Sequence, residues 1–166
     1  MTDDESFESF MAAALPALLR FGHVLTGDPH RAEELVQAAL VKTYQRWARV
    51  DRATPQAYVR SAMVNTHTSW WRRGRREGSL PPGFDVASAA SAVRDYDDRD
   101  LALRALQTLP SRQRAVLVLR YYEDLSEADI AATLGCSTGT VKSQASRALR
   151  TLRSRLDHPS PEGALR

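Results

Sequence analysis

The spacing of apolar positions predicts an all-α protein. Over residues 30–50, apolar side chains recur at the i, i+3, i+4, i+7 spacing that marks one buried face of a helix. The same period predicts helices over residues 4–26 and 55–73, with Pro16 either kinking the first or dividing it in two. No alternating pattern rich in Val, Ile and Thr extends over a useful length, so we expect no sheet.

The second half of the chain predicts four shorter helices, separated by Pro110 and by two small polar turns. Between the two helical parts lies a small, polar and acidic stretch with too few large apolar residues to form a core. We therefore predict two small helical domains joined by a flexible acidic linker. The predicted boundaries are 1–77 for the first domain, 78–98 for the linker, 99–157 for the second domain and 158–166 for a disordered tail, with the four helices at 99–108, 111–122, 127–134 and 138–156.

The segment from Ser126 to Arg155 has the pattern of a helix-turn-helix. Ala131 falls where two helices must cross and only a small side chain fits. Gly135 suits the positive φ that ends the first helix, and Ser137 can cap the second through its hydroxyl. Val141 then falls where the second helix must enter the core. Four independent requirements are met within about three helical turns.

The second helix of this motif presents a polar and basic outer face, and no acidic residue lies between Asp129 and Asp157. Small hydroxyl side chains permit close approach to DNA, while Lys and Arg bind phosphates or guanine. An ordinary solvated helix surface is the alternative, which the combined turn geometry disfavours. The candidate DNA-binding residues are Ser137, Thr138, Gly139, Thr140, Lys142, Ser143, Ser146, Arg147 and Arg150.

A second candidate site lies at the end of the third helix, where four arginines follow two tryptophans. Arginines beside aromatic rings suit single-stranded nucleic acid, whose bases stack on rings while its phosphates are neutralised. Helical geometry puts Trp70 on the face of Val59 and Met63, which predicts a core position, and Trp71 about 100° away, towards solvent. The candidate residues are Asn65, Thr68, Trp71, Arg72, Arg73, Arg75 and Arg76.

Charge and composition limit the function further. The net charge is +3, and basic residues outnumber acidic ones in both helical parts but not in the stretch between them. A single cysteine, Cys136, excludes an internal disulfide, and the acidic N-terminus does not resemble a secretory signal.

No apolar run approaches the length of a membrane span, so we predict a cytoplasmic protein. The histidines and the cysteine do not have the spacing of metal ligands, and the sequence shows neither a phosphate-binding glycine loop nor a nucleophile-base pair. We therefore expect no metal, no cofactor and no enzymatic activity.

These residues resemble the extracytoplasmic-function (ECF) sigma factors, the smallest members of the sigma-70 family. The resemblance rests on LLRFGHVLTGDPHRAEELVQAALVKTYQRW, AYVRSAMVNTHTSWWRRGRRE and LPSRQRAVLVLRYYEDLSEADIAATLGCSTGTVKSQASRALRTLR, which together span nearly the whole chain. The pairing of VNTHTSWWRR with RYYEDLSEADIA is similar to the actinobacterial SigE-type subgroup.

The resemblance implies a protein that binds core RNA polymerase and directs it to promoters. The first domain would correspond to sigma region 2, which opens the -10 element, and the second to region 4, which binds the -35 element. The two candidate sites would then be the -10 and -35 contacts, with the loop from Gly74 to Gly83 capturing a flipped base. An anti-sigma factor is a possible further partner. The polymerase-binding face would comprise Glu33, Glu34, Val36, Gln37, Leu40, Val41 and Tyr44.

Two other classes of protein remain open at this point. A stand-alone helix-turn-helix regulator would usually need a dimer interface to read two half-sites, and no additional dimerisation helix is evident. A recombinase or nuclease would require a nucleophile or paired carboxylates in the first domain. The arginines there lie beside tryptophans instead.

Overall fold

The computed structural model describes residues 1–76 and 98–157, and over these residues all regular structure is helical. The chain divides into two compact units, Met1–Ser88 and Ala89–Arg166. The helical structure of these residues confirms the all-α prediction. The predicted linker, apart from Asp98, and the predicted tail lie outside the described residues.

Over residues 1–76, the first unit is built from three long helices. These are α1 (Asp3–Thr26), α2 (Pro29–Tyr44) and α3 (Pro55–Arg76), with a 3-10 turn at Trp47–Arg49 between the last two. Each helix contributes large apolar side chains to one core, among them Leu18, Phe21, Leu25, Leu35, Val59 and Met63. The core therefore lies between all three helices and fixes which faces of α2 and α3 remain outside.

Close contact between α1 and α2 depends on Gly22. A Cβ atom added at Gly22 would lie 3.2 Å from both the Cβ of Ala32 and the Cε of Met63. Because such distances are tighter than ordinary carbon contacts, a larger residue would push the helices apart. The following turn is made by Gly27 at φ 76°, and the side chain of Asp28 then caps α2 by accepting from the Arg31 amide.

Three predicted helix boundaries require correction. Pro16 lies inside one continuous helix, so it does not divide α1 into two pieces. The second helix ends at Tyr44 instead of residue 50, and the remainder forms the 3-10 turn. The third continues through Gly74 to Arg76, because one glycine within a helix costs only about 1 kcal/mol, which favourable neighbouring turns can offset.

The first helix also corrects the expectation that no segment is apolar enough to cross a membrane. Among the described residues, α1 alone has the length and composition of a possible span, near the N-terminus. A core helix of a soluble protein meets the same criterion, so this is weak evidence for a span. Here Leu18, Phe21 and Leu25 are almost fully buried against the other helices of the unit. Packing accounts for the apolar residues on that face.

The second unit contains α4 (Asp98–Gln107), α5 (Ser111–Leu117), α6 (Glu127–Leu134) and α7 (Thr138–Asp157). After α5 the chain continues as a π-helical turn over Val118–Tyr122. The predicted helix over 111–122 therefore has the right extent but changes its hydrogen-bonding pattern in its last turn. Part of the core forms where Leu109 and Leu117 meet Ala148, with Leu106, Leu149 and Leu152 packed around them.

A buried arginine joins α4 to α5. The Arg114 side chain is only 1% exposed, and its Nε donates to the Leu106 carbonyl at 2.9 Å. Its Nη2 donates to the Leu109 carbonyl at 3.0 Å and to the Gln107 carbonyl at 3.3 Å. The Leu106 and Gln107 carbonyls belong to the last turn of α4, and the Leu109 carbonyl to the segment that follows it. Carbonyls at a helix end lack the usual i+4 helical partners, and the guanidinium satisfies them instead. Burial lowers the pKa of Arg114 to about 10, so the guanidinium is still charged at neutral pH.

Candidate nucleic-acid interface

The α6–α7 pair has the geometry predicted for a helix-turn-helix. Gly135 ends α6 at φ 65°, and its amide donates to the Ala131 carbonyl. The Ser137 hydroxyl accepts from the Thr140 amide at 3.1 Å, which caps α7. Ala131 and Val141 are 7% and 0% exposed, as expected for the helix crossing and the core-facing position. Each of the four structural expectations for this motif is confirmed.

The two faces of α7 separate cleanly. Val141, Ala145 and Ala148 are buried. Thr140 is half-buried, and its hydroxyl lies 3.0 Å from that of Ser137, so both take part in the cap. The other predicted DNA-binding residues are all exposed: Ser137, Thr138, Gly139, Lys142, Ser143, Ser146, Arg147 and Arg150. The helix therefore offers one continuous outer face of hydroxyl and cationic groups.

An acidic residue from α6 lies beside this face. Glu127 carboxylate oxygens lie 3.7 Å from Lys142 Nζ and 3.4 Å from Arg120 Nη1. Arg120 also lies over the Tyr121 ring, 5.6 Å from its centroid. Sequence reasoning missed Arg120, because it precedes the helix-turn-helix and only the tertiary fold brings it to Glu127. The Lys142 ammonium accordingly has a nearby carboxylate in the protein alone.

The α3 candidates occupy an arc of the helix that is partly open to solvent. Asn65, Arg72 and Arg73 are exposed, whereas Thr68 and Trp71 are half-buried. Trp70 is half-buried too, so burial does not separate the two tryptophans as the sequence predicted. Val59 and Met63 on its face are fully buried, but Trp70 lies about two turns further along, where its burial is incomplete. The side chains of Arg75 and Arg76, and the predicted base-capturing loop beyond them, lie outside what the structure describes.

The predicted polymerase-binding face on α2 also needs a correction. Val36 and Leu40 are 1% and 8% exposed, because they point into the three-helix core. They cannot contact a partner while the bundle is intact. The remaining candidates are exposed and form one face: Glu33, Glu34, Gln37, Val41 and Tyr44. Val41 and Tyr44 are large apolar or aromatic side chains at 57% and 48% exposure.

The start of α1 is attached to the end of α2 and to the 3-10 turn after it by a cluster of aromatic and polar contacts. The Phe7 ring lies 5.1 Å from those of both Tyr44 and Trp47. The Tyr44 hydroxyl donates to the Asp4 carboxylate at 2.7 Å, and Trp47 Nε1 donates to the Ser6 hydroxyl at 2.8 Å. The hydrogen bond to Asp4 raises the pKa of Tyr44 above its usual value.

A further contact joins α2 to α3 directly. Lys42 Nζ donates to the Thr66 hydroxyl at 2.9 Å. Thr66 is 3% exposed and Lys42 is exposed, so the bond lies where the core meets the surface. The sequence did not predict this contact, because it joins residues 24 positions apart along the chain.

Within the described part of the chain, no group of three or more His, Cys, Asp or Glu side chains is placed to hold a metal ion. The exposed faces of the helices can instead bind a partner through hydrogen bonds and through charge. One face of α7 and one arc of α3 carry cations, amides and hydroxyls suited to an anionic polymer, while α2 carries a mixed acidic and apolar face suited to a protein.

Two family models match the chain. The model for sigma-70 region 2 matches residues 10–77, and that for sigma-70 region 4 matches residues 99–152. The chain is 41% identical to the RNA polymerase sigma-E factor of Streptomyces avermitilis over 152 residues, covering 91% of this chain and 85% of that protein. It is 34% identical to the ECF RNA polymerase sigma factor SigL of Mycobacterium tuberculosis, covering 82% and 80%.

Solved structures give the same picture of the fold. The sigma factor RpoE from Bartonella quintana, solved in complex with the anti-sigma factor NepR, matches with a TM-score of 0.68 and 27% identity, covering 94% of this chain and 99% of that one. CnrH, solved in complex with the cytosolic domain of CnrY, matches with a TM-score of 0.64 at 20% identity over 95% and 91% of the two chains. At that identity CnrH supports the fold alone.

Proposed function

This chain belongs to the sigma-70 family, within its ECF group, and from that premise we propose how its two helical units divide the recognition of a promoter. It is an alternative sigma factor that binds core RNA polymerase and directs transcription initiation. In the proposed division, residues 1–77 act as region 2 on the polymerase and the -10 element. Residues 99–157 act as region 4 on the -35 element, and residues 78–98 link the two.

The α7 helix reads the -35 element through its exposed face. The observation that carries this proposal is the separation of faces on α7, where the groups that can bind DNA have no role in the core. The capped N-terminus at Ser137 supports it, because helix N-termini are suited to phosphates. Arg147 and Arg150 extend the cationic surface along the same helix. A bidentate arginine contact to guanine supplies about 1 to 3 kcal/mol of discrimination.

The last turns of α3 hold the opened -10 strand. Asn65, Arg72 and Arg73 are exposed there, and the half-buried Trp71 can present part of its ring to a base. The whole of α3 lacks acidic residues, so nothing on this helix repels phosphate. Arg75, Arg76 and the loop from Gly74 to Gly83 belong to the same proposal on the strength of the family resemblance.

Core polymerase binds the exposed face of α2. Glu33, Glu34 and Gln37 provide polar contacts, and Val41 and Tyr44 provide the apolar centre that protein interfaces commonly have. Val36 and Leu40 hold α2 in the bundle and are no longer part of the proposed contact.

Initiation chemistry belongs to the polymerase in this proposal, so the chain supplies recognition and no catalysis. It acts in the cytoplasm, where core polymerase and promoter DNA are found. An anti-sigma factor is a further proposed partner, since the similar RpoE was solved with one.

A run-off assay tests the proposal. Core polymerase supplemented with this protein should initiate at promoters of its source genome, and core polymerase alone should not. A sigma factor of different specificity serves as the control for polymerase activity. If the control initiates while this protein never does, a stand-alone helix-turn-helix regulator becomes the better account.

A further inference from the structure

Lys42 lies at the edge of the α2 surface that faces α3. On a helix of 3.6 residues per turn it is about 100° from Val41, at the border between the exposed face and the core. Its ammonium donates to the hydroxyl of Thr66, which lies on α3 directly after Asn65. The lysine thus projects beside the helix to which we assign the -10 strand.

Among residues 1–76 and 98–157, no carboxylate neutralises the charge on Lys42. Within the described part of the chain it forms no ion pair, whereas Arg52 pairs with Asp3 and Lys142 with Glu127. Its bonded partner is a neutral hydroxyl. Because α3 has no acidic residue, the surface around Thr66 leaves the positive charge in place.

The geometry holds the ammonium without using all its hydrogen-bonding capacity. A lysine has three donors, and one of them is directed to Thr66. Thr66 itself is anchored, since it is 3% exposed and follows the almost fully buried Met63 and Val64. A rigid acceptor therefore positions a long, flexible side chain, which lowers the entropy lost when the side chain binds a ligand.

From these features we infer that Lys42 binds a backbone phosphate of the promoter strand that lies along α3, and that Thr66 positions it. Phosphate is the ligand that an unneutralised lysine bonded to α3 would take on this surface, next in sequence to the exposed Asn65. The inference rests on the proposed role of α3 in holding the -10 strand. It adds a contact from α2, the helix otherwise assigned to the polymerase.

The test uses holoenzyme assembled on promoter DNA whose -10 region is already unpaired, with the promoter chosen from mapped transcript start sites. Affinity is measured over a series of KCl concentrations for the wild type and for Lys42→Ala, Lys42→Arg and Thr66→Val. Arg20→Ala is the matched control, because Arg20 is an exposed cation on α1 that is not among the proposed contacts. Core polymerase affinity and the melting temperature are measured for each variant.

Affinity for DNA falls as salt rises, so the slope of log affinity against log salt is negative. Lys42→Ala should make this slope shallower by about 1, as expected for the loss of one phosphate contact. Lys42→Arg should restore the slope, and Thr66→Val should weaken DNA binding severalfold while leaving the slope near that of the wild type. Arg20→Ala should change neither quantity. Core affinity should be equal for all variants.

Three results would overturn the inference. In the first, Lys42→Ala has the same salt slope as the wild type and Arg20→Ala. In the second, Lys42→Ala weakens core polymerase binding, which would make Lys42 a protein contact. In the third, Lys42→Ala and Thr66→Val lower the melting temperature equally and change nothing else, which would make the bond purely structural. Run-off initiation by the wild-type holoenzyme at the same promoter separates all three from a failure of the proposed function.

Discussion

At the scale of single residues, burial decides which side chains of a helix can act on a partner. Val141 and Arg147 lie on the same helix, yet the first is fully buried and the second exposed. The sequence period predicted both positions correctly, because 3.6-residue spacing assigns faces without tertiary information. The same spacing puts Val36 and Leu40 in the buried stripe of α2, which their burial confirms. The family resemblance, not the period, assigned these two residues to the polymerase-binding face.

Arg147→Ala should weaken binding to the -35 element about fivefold or more, since it removes a contact of about 1 to 3 kcal/mol. The free energy of unfolding should change by less than about 0.5 kcal/mol, because the side chain is on the surface. Val141→Asp should instead unfold the second unit by burying an unpaired charge. Fluorescence anisotropy and circular dichroism measure the two effects. Equal unfolding by both variants would contradict the facing of α7.

Asp4→Asn should lower the pKa of Tyr44 towards its ordinary value, because the carboxylate that accepts from the Tyr44 hydroxyl is lost. In the wild type the raised pKa stabilises the folded chain. That stabilisation is complete below the ordinary tyrosine pKa and disappears as pH rises through the folded-state value. Ultraviolet titration of tyrosinate measures the shift, with Tyr44→Phe used to identify the signal. An unchanged Tyr44 titration in Asp4→Asn would show that the contact does not control it.

At the scale of elements, helix ends depend on groups that sequence periodicity does not register. The α6 helix begins and ends where it was predicted, since Ser126 and Gly135 are strong local signals. The end of α4 depends instead on Arg114, a buried guanidinium eight residues from the carbonyl of Leu106. Composition would have assigned that arginine to the surface. Only the packed structure reveals its contacts.

Arg114→Met should release the end of α4. The change leaves the carbonyls of Leu106, Gln107 and Leu109 without the guanidinium that binds them, at a cost of about 3 kcal/mol. Hydrogen exchange resolved to residues 98–109 should accelerate strongly. Arg112→Met is the matched control, because Arg112 is exposed and donates to the Leu134 carbonyl at 3.2 Å. Similar exchange in both variants would argue against a special role for Arg114.

Trp71→Ala should impair promoter opening more than it lowers stability, because the ring is half-buried and is assigned to the -10 strand. Permanganate reactivity of unpaired thymines measures opening, and thermal denaturation measures stability. Trp70→Ala provides the comparison on the neighbouring face. A large loss of stability with normal opening would make Trp71 a core residue.

At the scale of the whole molecule, the division into two units follows from composition. Two helical parts, each with enough large apolar residues for a core, flank a stretch that lacks them. What the sequence could not predict lies in contacts between distant positions. Asp4 with Tyr44 and Lys42 with Thr66 are separated by 40 and 24 residues, and no local pattern marks either pair.

If the two helical units bind the -35 and -10 elements while attached to one polymerase, transcription should require a fixed spacing between those elements. Inserting about 5 base pairs between the -35 and -10 elements turns one by half a helical turn relative to the other, since B-DNA repeats every 10 to 10.5 base pairs. Run-off transcription should then fall sharply. Substituting the -35 sequence should give a comparable loss. Undiminished transcription after the insertion would mean that the two units do not read the elements together.

The separation of faces on α7 also has an evolutionary consequence. Because the outer residues make little contribution to the core, substitutions there should leave every intermediate folded. If α7 binds the -35 element as proposed, the same substitutions should alter the DNA preference. A duplicated gene could acquire a new set of target promoters by a few changes at Thr138, Lys142 or Arg147 without passing through an unstable protein. Families of paralogous regulators could diversify by this route, with Val141, Ala145 and Ala148 held constant beneath the changing surface.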